Sequence, residues 1–165
     1  MDPPLFCQRC GASLEAREIF GRSRPVCPAC SYVHFDDPKV AAGVLVSEGS
    51  RLLLALRNHE PRTGFWSFPG GFVDRSEGVE EAAIREVREE TGLEVVIDEL
   101  LGVYSQPGEP VIFVAYTGHA VGGRLAAGDE ASDAAFFPVD ALPELAFPHD
   151  MEIVERWRAK TRIRL

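Results

Sequence analysis

Beyond residue 30 the sequence has no cysteine, and nowhere does it have an apolar run near the roughly 20 residues that span a bilayer; Val40 to Val46 is among the longest. The opening Met1-Asp2-Pro3-Pro4 has neither a basic start nor an apolar stretch, so no secretory signal is read and a cytoplasmic protein without membrane attachment is expected. Positive charge is also scarce. Lys and Arg number 17 against 26 Asp and Glu, a formal net charge of −9. That balance argues against broad affinity for nucleic acid, which wants a basic face. An acidic protein that handles anions needs metal cations as intermediaries. There is no internal repeat and no low-complexity stretch. With 45% apolar and 26% charged residues, disordered and collagen-like chains are excluded. The 165 residues suit one ordinary domain with a small appendage.

The appendage is marked by Cys7, Cys10, Cys27 and Cys30, spaced C-x2-C-x16-C-x2-C. That is the double-knuckle pattern of a tetrahedral four-cysteine zinc site, each pair supplying two thiolates from one turn. A pair of disulfides or redox-active CxxC motifs is the alternative. About 30 residues bury too little apolar surface to fold unaided, and a structural Zn²⁺ supplies the missing free energy. Four thiolates fill the coordination sphere, so the metal here is structural. The expected division is a zinc ribbon over 1–36 and a main domain over 37–165, with Asp36-Asp37-Pro38 as linker. Arg9, Arg17, Arg22 and Arg24 are offset by Glu15 and Glu18, which favours bracing or dimer contact over nucleic acid.

In the main domain, Val40 to Val46 and Leu52 to Leu56 read as a hairpin around Ser47-Glu48-Gly49-Ser50. Phe65 to Phe68 reads as a strand running into the Pro69-Gly70-Gly71 turn. A helix is expected over about Glu77 to Thr91, stopped by Gly92. Strands follow at Leu93 to Tyr104, Val111 to Ala120 and Ala134 to Val139, and a helix over Met151 to Leu165 closes the chain. Its acids come early and its bases late, as the helix dipole favours. The order implies an α/β domain with a mixed sheet.

On the first helix, Glu86, Glu89 and Glu90 share an arc of roughly 100°. Stacked carboxylates repel unless the face is well solvated or cations sit there, and oxygen-only ligands favour Mg²⁺ or Mn²⁺. Val79, Ala82 and Ala83 lie on or beside the arc, while Ile84, Val87 and Thr91 form a stripe that can pack on the sheet. The full spacing is G-x5-E-x7-R-E-U-x-E-E-x-G-U, with U aliphatic, filled by Gly71, Glu77, Arg85, Glu86, Val87, Glu89, Glu90, Gly92 and Leu93. Here the chain resembles the Nudix hydrolases at all nine specified positions, and the likeness extends over about residues 38 to 160.

The resemblance implies the Nudix fold, a mixed sheet sandwiched between helices, and hydrolysis of a nucleoside diphosphate linked to another group. It makes Glu86, Glu89 and Glu90 ligands of Mg²⁺ or Mn²⁺, with the Gly70 carbonyl a further contact. It also makes Arg85 and Glu77 an orienting pair. Eight residues of straight helix rise about 12 Å, so that pairing requires Glu77 to fold back from the loop before the helix. Water activated by the metal would attack one phosphorus, with Glu89 or Glu130 accepting the proton.

A zinc ribbon before such a domain is similar to two groups. The NADH pyrophosphatases carry S-Q-P-W-P-F-P-x-S after the box; Ser105-Gln106-Pro107 begins likewise, but Gly108-Glu109-Pro110 departs. Short zinc-ribbon enzymes resembling FAD and ADP-ribose pyrophosphatases share the length and linker, and FAD or ADP-ribose is the favoured substrate. An RNA-end or nucleoside triphosphate hydrolase and a non-catalytic nucleotide-binding module are the rival classes. Arg57 is the candidate phosphate contact; Phe65, Trp66 and Phe113 are candidates to stack on a base. Tyr104 and Phe72 are expected in the core. No role is assigned to His34, His59, His119 or His149, which have no ligand spacing. Many relatives of this kind form homodimers, and the resemblance makes a homodimer a candidate assembly.

Overall fold

A computed structural model describes residues 4–163. Met1 to Pro3, and the Arg164-Leu165 end of the expected last helix, lie outside the described residues. The chain falls into two compact units, Met1–Asp37 and Pro38–Leu165.

The first unit is a two-stranded antiparallel hairpin, β1 (Glu15–Ile19) and β2 (Arg22–Val26), flanked by two knuckles of matching construction. In the first, Cys7 N–H donates to Ala12 O at 2.8 Å and Gly11 N–H to Cys7 O at 2.8 Å. In the second, Cys27 N–H donates to Tyr32 O at 2.8 Å and Ser31 N–H to Cys27 O at 2.9 Å. The turns bring all four sulfurs within 4.8 Å of one another, all as free thiols.

The second unit is built on a seven-stranded mixed sheet. Its strands are β3 (Lys39–Glu48), β4 (Arg51–Arg57), β5 (Trp66–Ser67), β6 (Gly70–Phe72), β7 (Leu93–Tyr104), β8 (Val111–Gly123) and β9 (Ala131–Pro138). The main path runs β5-β4-β3-β8-β7, with β6 paired to β3 and β9 to β4. The β3–β8 pair is parallel and the rest are antiparallel. Helix α1 (Val79–Thr91) and helix α2 (Pro148–Ile163) complete the unit.

Alternation along the strands divides the core in two. Val44, Val46 and Leu53 pack with Ala83 and Val87 of α1, whereas Leu45, Leu52 and Leu54 pack with Ile153, Val154 and Trp157 of α2. Strands buried on both faces read as continuous apolar runs, which is what β3 and β4 show. The sheet is thus sandwiched between helices, the architecture the resemblance implied.

Element boundaries shift for local reasons. The strand expected over Phe65 to Phe68 shrinks to Trp66–Ser67, as Phe68 leaves the sheet for the α2-side core. The last helix begins earlier than expected, at Pro148, because the Asp150 carboxylate reaches back to accept the Phe147 N–H at 2.9 Å. Val87 and Thr91 are buried as expected, but Ile84 is 36% exposed. Phe72, expected in the core, is half-exposed, with the Lys39 ammonium 4.7 Å from its ring centre.

The link between β8 and β9 crosses the end of α1. Ala126 N–H donates to Thr91 O and Gly128 N–H to Glu90 O, both at 3.0 Å. A Cβ on Gly128 would lie 1.8 Å from Glu89 O, so only glycine permits this approach. Gly128→Ala is expected to cost about 1–3 kcal/mol of stability by overpacking, read as a lower urea midpoint with unchanged m-value.

Candidate metal and phosphate site

Glu77 lies outside α1, in the turn where its N–H donates to Asp74 O at 3.1 Å and its carboxylate accepts the Asp74 N–H at 3.1 Å. Helix α1 opens two residues later, at Val79, with Glu81 Oε2 accepting the N–H of the capping Gly78 at 2.9 Å. The chain therefore doubles back, and Arg85 reaches Glu77 with two bonds, Nε to Oε1 at 2.8 Å and Nη2 to Oε2 at 3.1 Å. The same guanidinium donates from Nη1 to Glu86 Oε1 at 2.8 Å and Glu89 Oε2 at 3.0 Å, and from Nη2 to Phe72 O at 3.1 Å. Its hydrogen bond to Glu77 first, then those to Glu86 and Glu89, hold the guanidinium charge more firmly than usual. Glu77 in turn is held below the ordinary carboxylate range by Arg85.

The three helix carboxylates divide between two sets of contacts, Glu86 and Glu89 sharing Arg85 Nη1. Glu86 and Glu90 are buried, at 8% and 5% exposure, and the partner they gather is Glu130, with one oxygen of each within 4.8 Å of the others. Glu89 is turned toward solvent and Arg85. Burial raises the Glu86 carboxyl above its ordinary range. Burial, then the Glu86 charge, pushes Glu90 up to about 8, and a hydrogen bond from the Gly70 backbone acts the other way. Glu90 Oε2 is buried with no hydrogen-bond partner among the described residues. Gly71 makes room here, since a Cβ on it would meet Glu86 Oε1 at 2.5 Å. Two buried acids, an orphaned oxygen and a third carboxylate in reach form a donor set that fits a hard divalent cation.

The trio forms one wall of a cavity of about 950 Å³ within the second unit, which Gly70 and Arg85 also line. Arg57 lines it from the end of β4, donating from Nε to Pro61 O at 2.9 Å and stacked 5.2 Å from the Phe147 ring centre. Phe113 lines it as well, but Trp66 does not. The Trp66 ring lies edge-on to Phe137 at 4.7 Å in the α2-side core, and Phe65 is also absent from the lining. The stacking surface is His149, which had no assigned role. Its ring is 5.5 Å from Phe147 and parallel to within 4°, 5.2 Å from Phe113, and 6.2 Å from Tyr104. These rings come from β7, β8 and the start of α2, so no single-segment spacing advertises them. Burial lowers the His149 pKa, favouring a neutral ring.

Asp150, beside it, is 2% exposed, and burial pushes its carboxyl up to about 7. A folded-state pKa above the ordinary value of 3.8 means the native state holds this proton more tightly than the unfolded chain. The associated stability is full at pH below 4 and is lost as pH rises through about 7. Asp150→Asn keeps an acceptor for Phe147 N–H and removes the titration. The urea midpoint of the wild type should therefore fall relative to the variant between pH 4 and 7, and the two should run parallel above pH 8.

The NUDIX domain family matches residues 37–157. The ADP-ribose pyrophosphatase of Methanocaldococcus jannaschii is 41% identical over 133 residues, covering 77% of each chain. The NAD-capped RNA hydrolase NudC of Pseudomonas aeruginosa is 35% identical over 144 residues; these are 85% of this chain but only 50% of that protein. Among solved structures, a NUDIX hydrolase from Nitrosomonas europaea superposes with a TM-score of 0.89 at 28% identity, over 95% of this chain and 92% of that one.

Proposed function

The chain belongs to the NUDIX family of hydrolases, and we propose that it cleaves the pyrophosphate of ADP-ribose, giving AMP and ribose 5-phosphate. The observation that carries the metal site is the pair of buried acids Glu86 and Glu90, with an orphaned oxygen on Glu90 and the exposed Glu130 carboxylate in reach. Identity over 77% of the length of an ADP-ribose pyrophosphatase supports the substrate.

In this reading Glu86, Glu90 and Glu130 hold Mg²⁺ or Mn²⁺, with the Gly70 backbone beside them. The bound cation supplies neutralisation of the pyrophosphate charge and a lowered pKa for water. Arg85 keeps the trio's neighbours in place: its bonds to Glu77 lock the loop before α1 against the helix, and Glu86 and Glu89 share its Nη1. Glu89, half-exposed and outside the Glu86–Glu90–Glu130 cluster, accepts the proton as a water oxygen bonds to one phosphorus and the bridging P–O bond breaks. Arg57, a fixed cation on the cavity wall, meets a phosphate or the leaving group. The face formed by Phe113, Phe147 and His149 takes the adenine ring in place of Trp66. FAD presents the same AMP half. NAD(H) is the second reading, favoured by the likeness to NudC.

The free thiols of the first unit hold Zn²⁺ in this proposal. Their closest pairs, Cys7–Cys30 and Cys10–Cys27, are 3.6 and 3.5 Å apart. A tetrahedron of sulfurs about 2.3 Å from a central zinc has edges of about 3.8 Å, whereas a disulfide would need about 2.05 Å.

With Mg²⁺ or Mn²⁺, ADP-ribose should give AMP and ribose 5-phosphate on chromatography, with FAD, NADH and nucleoside triphosphates turned over more slowly. Glu90→Gln should lower kcat by at least about a hundredfold, a loss of about 2.7 kcal/mol of transition-state stabilisation, while the protein stays folded. Unchanged turnover in that variant would remove the trio from the reaction. Metal analysis should find one zinc per chain, lost in Cys27→Ser together with thermal stability of the first unit.

A further inference from the structure

His59 stands between two parts of the site that come from distant stretches of sequence. Arg57 Nη2 is 3.1 Å from His59 Nε2. A guanidinium only donates, so Nε2 accepts and carries no proton. On the other side of the ring, Nδ1 is 3.3 Å from the Glu130 main-chain oxygen and 3.3 Å from Asn58 Oδ1. The Asn58 amide is oriented by its own bond, Nδ2 to Asp129 O at 2.8 Å, which leaves Oδ1 as the atom facing the histidine. Both neighbours of Nδ1 accept, so Nδ1 carries the hydrogen. Three independent contacts agree on one neutral tautomer.

The segment so gripped needs gripping. Glu130 lies just before β9, where the pairing with β4 slips between Leu56 and Arg57: Leu56 pairs with Asp133 but Arg57 with Ala131. This bulge ends the regular ladder immediately before the carboxylate that must reach Glu86 and Glu90. From below, the helix end fixes Ala126 and Gly128; from the β4–β5 loop, Asn58 and His59 fix the carbonyls of Asp129 and Glu130.

We propose that His59, as its Nδ1–H tautomer, is a positioning residue that couples Arg57 on the phosphate side of the cavity to the main chain of Glu130 on the metal side, with Asn58 as its brace. This rests on the reading of Glu130 as a metal ligand. His59 lines the same cavity, and the role proposed for it is exerted through Arg57 and the Glu130 main chain.

The test uses the full chain, with Mn²⁺ affinity measured without substrate by the electron paramagnetic resonance of the free ion, beside kcat, KM and thermal melting. His59→Ala should weaken Mn²⁺ binding by about tenfold, the usual scale for losing a support behind a ligand, and raise KM for ADP-ribose with melting little changed. His59→Asn, whose amide N–H replaces Nδ1–H, should restore Mn²⁺ affinity but not KM. His59→Gln, whose amide oxygen replaces Nε2 toward Arg57, should do the reverse. Wild-type Mn²⁺ affinity in His59→Ala, or identical behaviour of the Asn and Gln variants, overturns the coupling; if the Ala variant melts early, the Asn and Gln pair decides. Glu130→Gln separates the layers. Weakened Mn²⁺ binding there with none in His59→Ala leaves the ligand assignment standing and removes only the coupling. Full affinity in Glu130→Gln removes the ligand assignment itself.

Discussion

One guanidinium holds this site together. Arg85 meets Glu77, Glu86 and Glu89 at 2.8 to 3.1 Å and the Phe72 carbonyl besides. Without it, three carboxylates would crowd one side of α1 in a chain that is already at −9. With it, the loop before α1 is fixed to the helix and Glu86 is anchored from one side, leaving its other oxygen for the cavity. Because Arg85 is itself mostly covered, its pairs are less screened than exposed salt bridges, and removing either partner leaves a charge poorly solvated. The arginine therefore acts as scaffold and electrostatic counterweight together.

Arg85 does not reach Glu90 or Glu130. What holds them is packing and backbone geometry. Glu90 is carried on the buried side of α1 among residues that pack on the sheet, and its desolvation is the direct cost of placing the helix there. Glu130 arrives by a different route, on a segment pressed against the end of the same helix at Gly128 and released from the β4 ladder by a bulge. A site with two acids from a helix and one from a loop has both rigidity and reach. It also has a deficit among the described residues, the Glu90 oxygen with no hydrogen-bond partner, which a cation would satisfy.

The parts legible in sequence were those set by short-range geometry. Two CxxC knuckles, a helix between Glu77 and Gly92, and apolar runs that fill both faces of a sheet depend on neighbours a few residues away. The fold-back of Glu77 was also readable, since a straight helix leaves the Arg85 pairing out of reach. The assignment of carboxylates was only partly so. An arc of 100° groups Glu86, Glu89 and Glu90, but it cannot say which edge of the arc the sheet covers, and the sheet covers the edge holding Glu86 and Glu90. The aromatics were less legible still. Trp66 sits beside Ser67, which lines the cavity, and yet its ring faces Phe137, because successive residues of a strand face opposite ways. His149 was invisible because its neighbours come from three elements.

Acidity looks like a barrier to binding phosphates, and in bulk it is one. Locally the argument inverts. The cavity wall holds a fixed cation in Arg57 and two buried acids, Glu86 and Glu90, whose carboxyls burial raises above the ordinary range. On the proposed reading, a divalent ion held by Glu86, Glu90 and Glu130 would offset the negative charge where a phosphate has to approach. On that proposal, the net charge that repels free phosphate would make binding conditional on metal, and affinity for a pyrophosphate would be tied to the ion that its hydrolysis needs. A basic pocket would bind the anion without that condition, and would hold it equally well when no reaction could follow.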